Sequence, residues 1–364
     1  MPVTDLANPL PLTHTAVRVA LEPAHIMLSS LGLINKREQM PGVHEWVERT
    51  AVSLTPEQRH TNLLVMEGFF YAVSPHRSWS GFPTYLEYME REDPLVLRQR
   101  LFDMYESLKS SPELTGQPFH MQNTLATVGS YLDYLYARFP EDHVHVQMET
   151  EAYQLLLNPA EMQAVIVSHL RQMWYLVLQE EWERVRPWLQ SSVQAFNQLD
   201  FNTMSLTEAA QVITGADLSE WWQKYTSRVG HTQFIFVPSP HVGPYVNKFV
   251  TDSTMWLLFG ARLPQGSAVN APDLSRSELL VRLSALADDT RLRILQLLKE
   301  EGELCSQEVQ QRLELSQSAG SRHMQQLSAT GYVHERRIEG QKCYSLNEER
   351  IEDTLLALSH FLKG

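Results

Sequence analysis

Polar and basic side chains near the end of the chain have the residue types that contact nucleic acids. Arginine, glutamine and serine hydrogen-bond base edges and phosphate oxygens. Such residues recur at helical spacing within 316–328, where Ser316 is placed to cap the helix. We predict base or phosphate contacts from six residues of this helix. They are Gln317, Ser318, Ser321, Arg322, His323 and Gln326.

Two alternating runs follow that helix, and a turn containing Gly340 separates them. The pattern predicts a β-hairpin built from 331–338 and 341–346. Arg336, Arg337 and Lys342 lie near its tip. A basic hairpin beside a helix in the major groove can hold the phosphate backbone, and we predict that role for these three residues.

Apolar spacing predicts the elements that position these side chains. Helices are expected over 279–287, 290–299, 308–313 and 316–328, with Met324 and Leu327 on the inner face of the last. A final helix repeats apolar residues in steps of four, three and four, at Ile351, Leu355, Leu358 and Leu362. That narrow stripe is typical of a seam between two helices.

This order of motifs resembles the winged helix-turn-helix of ArsR/SmtB-type bacterial transcription regulators. The matching residues are the run Leu286-Ala287-Asp288-Asp289-Thr290-Arg291-Leu292-Arg293-Ile294-Leu295, then Leu315-Ser316-Gln317-Ser318, Ser321-Arg322-His323 and Tyr344-Ser345-Leu346. The resemblance covers about a quarter of the chain, from about Arg276 to Phe361. It implies a homodimer, joined through the first and last helices of the module, that binds a palindromic operator in double-stranded DNA and represses.

The chain departs from the metal-sensing members of that family. The arsenite type carries three cysteines at the third helix, whereas here Cys305 matches only the first, and Gln307 and Gln310 occupy the others. One thiolate cannot form a three-sulfur site. The last helix has a lone His360 without the paired spacing of the zinc type. We therefore expect no metal at the usual family sites, and no cofactor.

Two further departures concern the backbone of the helix-turn-helix. Glu314 stands at the corner where the family often has glycine, and Gly320 lies inside the predicted recognition helix. A glycine within a helix costs roughly 1 kcal/mol relative to alanine. We expect that Gly320 either permits close packing on the third helix or leaves the recognition helix partly disordered without DNA.

Charge is distributed unevenly along the chain. The net charge is −13, but the last 91 residues hold 12 Lys and Arg against 14 Asp and Glu, or −2, which leaves −11 for the first 273. Contact with DNA must therefore come from a local basic patch in the C-terminal part. The absence of a long apolar run and of a signal segment predicts a cytoplasmic protein. The two cysteines cannot form a disulfide framework, which also indicates a reducing compartment.

The rest of the chain is predicted to be mainly α with a small number of strands. Helices are expected to begin at Pro56 and Pro159, the second kinking or ending at Pro187, and another covers 206–213 before Gly215. Two aromatic runs predict strands at 233–237 and 255–259. Pro- and Gly-rich residues 263–273 predict a linker. We thus predict a helical sensor or oligomerisation domain over 1–265 and a winged helix-turn-helix (α+β) over 274–364.

The N-terminal part resembles, weakly, an uncharacterised domain that precedes such modules, at 19–24 and 237–240. Its aromatic residues either form core or line a pocket for an effector, and core is the favoured interpretation. His120 and His169 are expected to be partly buried and structural, and the segment holding His143 and His145 to be a solvated polar stretch rather than a metal site. No catalytic motif is present, so we expect a non-enzyme. Two alternatives stay open: a winged-helix protein-interaction module, and an N-terminal enzyme fused to a DNA-binding domain.

Overall fold

The fold is described from a computed structural model. The described residues are 16–37, 40, 43–107, 120–139, 144–215, 218, 233–243, 245–251, 253–264, 276–338 and 341–363. Most of the predicted linker at 263–273 lies outside them. Within the described part, no helix is both long and apolar enough to cross a bilayer.

Helices dominate the chain before residue 215, as predicted. They are α1 Pro23–Lys36, α2 Glu45–Ser53, α3 Pro56–Leu63, α4 Phe70–Val73, α5 Phe82–Arg91, α6 Pro94–Ser107, α7 Met121–Thr124, α8 Val128–Tyr136, α9 Val146–Leu157, α10 Pro159–Met173, α11 Gln179–Phe196 and α12 Leu206–Thr214. Single π-helical turns follow α3 at Leu64–Gly68 and α10 at Trp174–Leu178.

Local capping signals identified several of these helix ends correctly. Thr55 caps α3 through its side-chain oxygen, which accepts from the Gln58 N–H, and Gly215 ends α12 in the left-handed conformation at φ 75°. Of the two outcomes expected at Pro187, the helix end is wrong, because α11 continues through that residue to Phe196, and the kink stays a prediction. A proline removes one backbone donor, and the remaining ladder on either side preserves the helix.

A four-stranded sheet contains both predicted aromatic strands. Its strands are β1 Ala16–Val19, β2 Gln233–Ser239, β3 Asn247–Val250 and β4 Thr254–Gly260, in the order β1-β2-β4-β3. β2 lies parallel to β1 and to β4, whereas β3 is antiparallel to β4. β2 and β4 are buried along nearly their whole length, which explains their continuous apolar sequence. The two four-residue strands were not predicted.

The chain divides into two compact units. One comprises 22–36 and 49–184, and the other comprises 1–21, 37–48 and 185–364. The second unit therefore contains both the four-stranded sheet and the C-terminal module. The predicted division into 1–265 and 274–364 stays a prediction.

The C-terminal module has the predicted helices and hairpin strands in the predicted order, and the short strand β5 was not predicted. Its elements are α13 Arg276–Leu286, α14 Asp289–Glu301, β5 Leu304–Cys305, α15 Ser306–Arg312, α16 Gln317–Thr330, β6 Val333–Ile338, β7 Gln341–Leu346 and α17 Glu348–Lys363. The second sheet has the order β5-β7-β6, all antiparallel. Ile294, Val309, Met324, Leu327 and Tyr332 meet in its core. This is a winged helix-turn-helix, with α15 and α16 as the helix pair and β6–β7 as the wing.

The corner between α15 and α16 turns at the residue that replaces the usual glycine. Glu314 has φ 54°, and it is the one non-glycine residue of the described chain with positive φ. A side chain in this conformation costs roughly 1 kcal/mol. We expect Glu314→Gly to raise the free energy of unfolding of the module by about 0.5–1 kcal/mol, net of the greater entropy of an unfolded glycine.

The control for this substitution is Glu314→Ala, which removes the carboxylate but keeps Cβ. Urea denaturation of the three proteins, followed by far-UV circular dichroism, measures the difference. Equal stabilisation by alanine and glycine would show that the carboxylate, and not the backbone, is responsible.

Gly320 allows the two helices of the pair to approach closely. It is buried in α16, and a Cβ added there would lie 2.5 Å from Cγ of Gln310 on α15. This contact agrees with the close-packing expectation. The helix α16 runs from Gln317 to Thr330, and its partial disorder without DNA stays a prediction.

Candidate nucleic-acid interface

The outer face of α16 presents four of the six predicted residues to solvent: Gln317, Ser318, Ser321 and Arg322. The helix begins at its predicted cap, where the Ser316 hydroxyl accepts from the Ala319 N–H at 3.3 Å. Met324 and Leu327 anchor the opposite face, with 1% and 0% exposed. Within the described chain, Arg322 forms no ion pair, so its guanidinium is free to meet an external acceptor.

The other two predicted residues of α16 face the module itself. Gln326 accepts a hydrogen bond from Nη1 of Arg291 through Oε1 at 2.9 Å. The side chain of His323 is 14% exposed, and its Nδ1 lies 3.7 Å from Oδ1 of Asp288. Burial lowers the pKa of His323, partly offset by that carboxylate, so the imidazole is neutral at pH 7. Both side chains are placed to position α16 on α14.

Two of the three predicted wing cations, Arg336 and Lys342, form ion pairs with carboxylates. Arg337 and Lys342 lie directly opposite each other across β6 and β7, and both are exposed. Like charges in that register repel unless an anion screens them. Nζ of Lys342 is 2.5 Å from the Glu335 carboxylate, and Arg336 forms a bidentate ion pair with Glu303. The tip residues 339 and 340 lie outside the described residues.

A polar groove of about 390 Å³ lies between the helix pair and the wing. It is lined by Ser306, Gln307, Gln310, Gln317, Gln341 and Lys342. Amides and hydroxyls both donate and accept hydrogen bonds, and the single ammonium adds positive charge. The groove therefore brings the N-terminus of α16 and the wing strand β7 to one surface, which is the arrangement needed to follow a phosphate backbone.

Cys305 and Cys343 form a disulfide at the edge of this groove. They are directly opposite each other in the β5–β7 ladder, with Cα atoms 3.7 Å apart. The sequence interpretation expected no disulfide framework, and the structure has a single bond between the two cysteines. Neighbouring strands bring together cysteines that are 38 residues apart in the chain, a proximity that their spacing does not reveal.

Sequence reasoning also missed two residues that hold the module together. Arg291, 8% exposed, donates to the carbonyl oxygens of Ala285 at 2.6 Å and Ser284 at 2.7 Å. The fully buried Tyr332 donates through its hydroxyl to Arg282 O at 3.1 Å. Arginine at position 291 was visible in the family motif, but motif membership does not indicate whether a side chain points outward or inward.

Histidines and aromatics before the module mostly occupy structural positions. His169 is buried and lies 3.1 Å from Oδ1 of Asn62, as predicted for a structural histidine, whereas His120 is exposed, against prediction. Phe234 and Phe236 lie in the sheet core. The predicted segments at 141–143 and 221–225 lie outside the described residues. Within the described part, no group of three metal-ligating side chains is found.

Comparison with known proteins agrees with the geometry of the C-terminal module. Residues 288–335 match the family described as "Bacterial regulatory protein, arsR family". The chain is also 51% identical over 59 residues to the arsenic resistance transcriptional regulator ArsR1 of Pseudomonas putida (strain KT2440). That match covers 16% of this chain and 45% of the relative, so the chain spans less than half of the regulator it resembles. The C-terminal module is an ArsR-type helix-turn-helix, as the sequence motifs predicted.

Proposed function

We propose that this protein is a cytoplasmic DNA-binding transcriptional regulator that acts as a homodimeric repressor on a palindromic operator. The observation that carries the proposal is the outer face of α16. There an arginine without an acidic partner in the described chain stands beside three exposed hydrogen-bonding side chains. Such a helix enters the major groove of double-stranded DNA, and its dimer reads two half-sites about one helical turn apart.

The contacts divide between α16 and the wing. Gln317, Ser318, Ser321 and Arg322 would meet base edges or phosphates directly. Arg336, Arg337 and Lys342 would hold the backbone, the first and last by exchanging their carboxylate partners for phosphate. We assign positioning roles to His323 and Gln326, because their side chains pack on α14.

Exposed leucines support a dimer. Leu355 and Leu362 on α17 are 53% and 72% exposed, and Leu280 on α13 is 47% exposed. These side chains belong to the first and last helices of the module, and a second copy would remove them from water.

The chain before the module would act as the sensor, without enzymatic activity. A small-molecule effector is the expected signal, and it would act by binding one arrangement of the dimer better than the other.

Arg322→Ala should weaken specific DNA binding by about 1–3 kcal/mol, or roughly 5- to 150-fold in Kd. A duplex selected from a random-sequence pool by the purified full-length protein serves as the probe. Its affinity is measured by fluorescence anisotropy at several salt concentrations. Affinity should fall steeply as salt rises, because phosphate contacts release counterions.

Lys299→Ala is the matched control, since it removes the same charge from an exposed side chain paired with Glu348 on α17. Unchanged affinity of Arg322→Ala would refute the assignment of this residue. Failure to select any duplex, or binding without salt dependence, would favour the protein-interaction alternative. The observation that favours this alternative is the pairing of Arg336 with Glu303 and of Lys342 with Glu335, which reduces the positive charge of the wing.

A further inference from the structure

The disulfide between Cys305 and Cys343 lies where the wing meets the helix pair. Cys305 directly precedes α15, and Cys343 belongs to the wing strand β7. Their neighbours Ser306 and Lys342 both line the polar groove. The bond therefore joins the two walls of the surface to which DNA binding is assigned above.

We propose that this pair is a reversible thiol–disulfide site that regulates DNA affinity by fixing or releasing the wing. This inference rests on the proposed function. Disulfides of cytosolic proteins are usually transient and redox-sensing rather than structural. Both cysteines of the chain take part, so no other cysteine of this chain can exchange with the pair.

Besides the disulfide, the base of the wing is attached through Tyr344, which is 4% exposed and packs in the core with Leu304. β5 contributes only two residues to the ladder, Leu304 opposite Tyr344 and Cys305 opposite Cys343. The Arg336–Glu303 ion pair spans the same junction, but the Arg336 side chain is 66% exposed, and exposed pairs contribute little. Breaking the sulfur–sulfur bond would leave Tyr344 in the core but would remove the attachment at Cys343, next to the groove residues Gln341 and Lys342.

The two sulfur atoms differ in solvent exposure, and this difference decides which of them a thiol attacks first. Cys343 is fully buried, whereas Cys305 is partly exposed. A thiolate of a low-molecular-weight thiol would attack Sγ of Cys305 and release Cys343 as a thiol. The product is a mixed disulfide between Cys305 and that thiol. A second such thiol would then attack the small-molecule sulfur of the mixed disulfide, forming a disulfide between the two small thiols and releasing Cys305 as a thiol, so two thiols are oxidised for each bond broken.

A hydroperoxide would close the pair again. The Cys305 thiolate attacks the peroxide oxygen to form a sulfenic acid, and with hydrogen peroxide one water leaves. The Cys343 thiol then attacks that sulfur, and a second water leaves as the disulfide forms. The two sulfurs together lose two electrons, which the peroxide accepts.

The oxidised protein should bind DNA more tightly. With the bond closed, Lys342 and Gln341 are held at a set distance from Gln317 across the groove, so less conformational freedom is lost on binding. Reduction should weaken affinity about tenfold, by loosening the wing rather than by removing a contact.

Anisotropy titration of the full-length protein with the selected duplex tests this inference. The protein is prepared either with hydrogen peroxide followed by its removal, or with excess dithiothreitol, and maleimide labelling confirms zero or two free thiols. Cys305→Ser, which breaks the bond at the partly exposed position, should bind with the affinity of the reduced protein under both conditions. Ser284→Ala, at an exposed serine of α13 that does not line the groove, should retain the redox response.

The possible outcomes separate this inference from the proposed function. If neither redox form selects or binds a duplex, the proposed function fails. If both forms bind with equal affinity, or the reduced form binds more tightly, DNA binding stands and the redox inference is overturned. A difference that persists in Cys305→Ser would also overturn it, because the effect would then arise elsewhere.

Discussion

Arg291→Ala is expected to destabilise the winged helix-turn-helix by about 3–4 kcal/mol, since it leaves several acceptors inside the module without a donor. The guanidinium is 8% exposed and donates to three acceptors, the carbonyl oxygens of Ser284 and Ala285 and the side chain of Gln326. It thereby joins the last turn of α13 to the middle of α16. Without it, the two carbonyls and the amide lose their partner inside the module.

The same substitution should weaken DNA binding, because Gln326 helps to hold α16 against α14. Amide hydrogen exchange, measured by mass spectrometry on peptides from 276–338, should become faster in the variant and so report the loss of stability within the module. The last 91 residues contain no tryptophan, so fluorescence reports on the rest of the chain and should change little.

Two further variants sharpen that experiment. Arg293→Ala removes an exposed arginine two residues away on the same helix and should leave exchange unchanged. Arg291→Lys keeps the charge but cannot reproduce the planar set of donors, so it should lie closer to alanine than to the natural protein. If amide hydrogen exchange remained slow throughout α13 and α16 in Arg291→Ala, the proposal that Arg291 holds these two helices together would be contradicted.

The second large effect is expected at Glu149, where Glu149→Gln should stabilise the protein by about 2–3 kcal/mol at pH 8 and by little at pH 5. Glu149 is 8% exposed, and its Oε2 accepts from the Tyr131 hydroxyl at 3.1 Å. That hydroxyl lies 3.4 Å from the hydroxyl of Tyr105. Burial raises the pKa of Glu149 to about 7, the Tyr131 hydrogen bond opposes this shift, and the Glu67 charge adds to it.

The sign follows from the two protonation states. The folded carboxyl group holds its proton up to about pH 7, whereas the unfolded group loses it near 4.5. Its stabilising contribution is therefore complete below pH 4.5 and is lost as pH rises through 7. Glutamine does not titrate and still accepts from Tyr131, so the variant avoids the buried charge at high pH.

Urea denaturation at pH 5 and pH 8, followed by tryptophan fluorescence, measures this difference. Glu180→Gln, at an exposed position of α11, is the control and should have no effect at either pH. Burial also lowers the pKa of His169 to about 4, so protonation of this residue destabilises the fold on acidification. This loss is the same in the natural protein and in Glu149→Gln. A gain that is the same at both pH values would contradict a titrating Glu149.

The C-terminal module could be predicted almost element by element. Short-range signals decide most of it: Ser316 caps α16, the alternating runs form the wing, and the inner positions Met324 and Leu327 recur at helical spacing. The N-terminal part was predicted only as mainly helical with a few strands. Strands of four residues such as β1 carry too few side chains to show a period.

The candidate interface was predictable in composition but not in orientation. A helical period identifies which residues share a face, and it agrees with the exposed positions Gln317, Ser318, Ser321 and Arg322. It does not show that His323 lies against Asp288, or that Gln326 is held by Arg291, because both depend on how α14 crosses α16. The pairing of wing cations with Glu303 and Glu335 is hidden for the same reason.

The sequence by itself determined the class of the last quarter of the chain, since caps, turns and helical spacing are local properties that each residue carries in its own neighbourhood. Only the tertiary structure joined Cys305 to Cys343, buried Arg291 against α13 and α16, and placed Glu149 beside Tyr131. Each of these contacts depends on segments far apart in the chain meeting in space. Burial, proximity and the resulting shifts in pKa exist only after those segments have packed together.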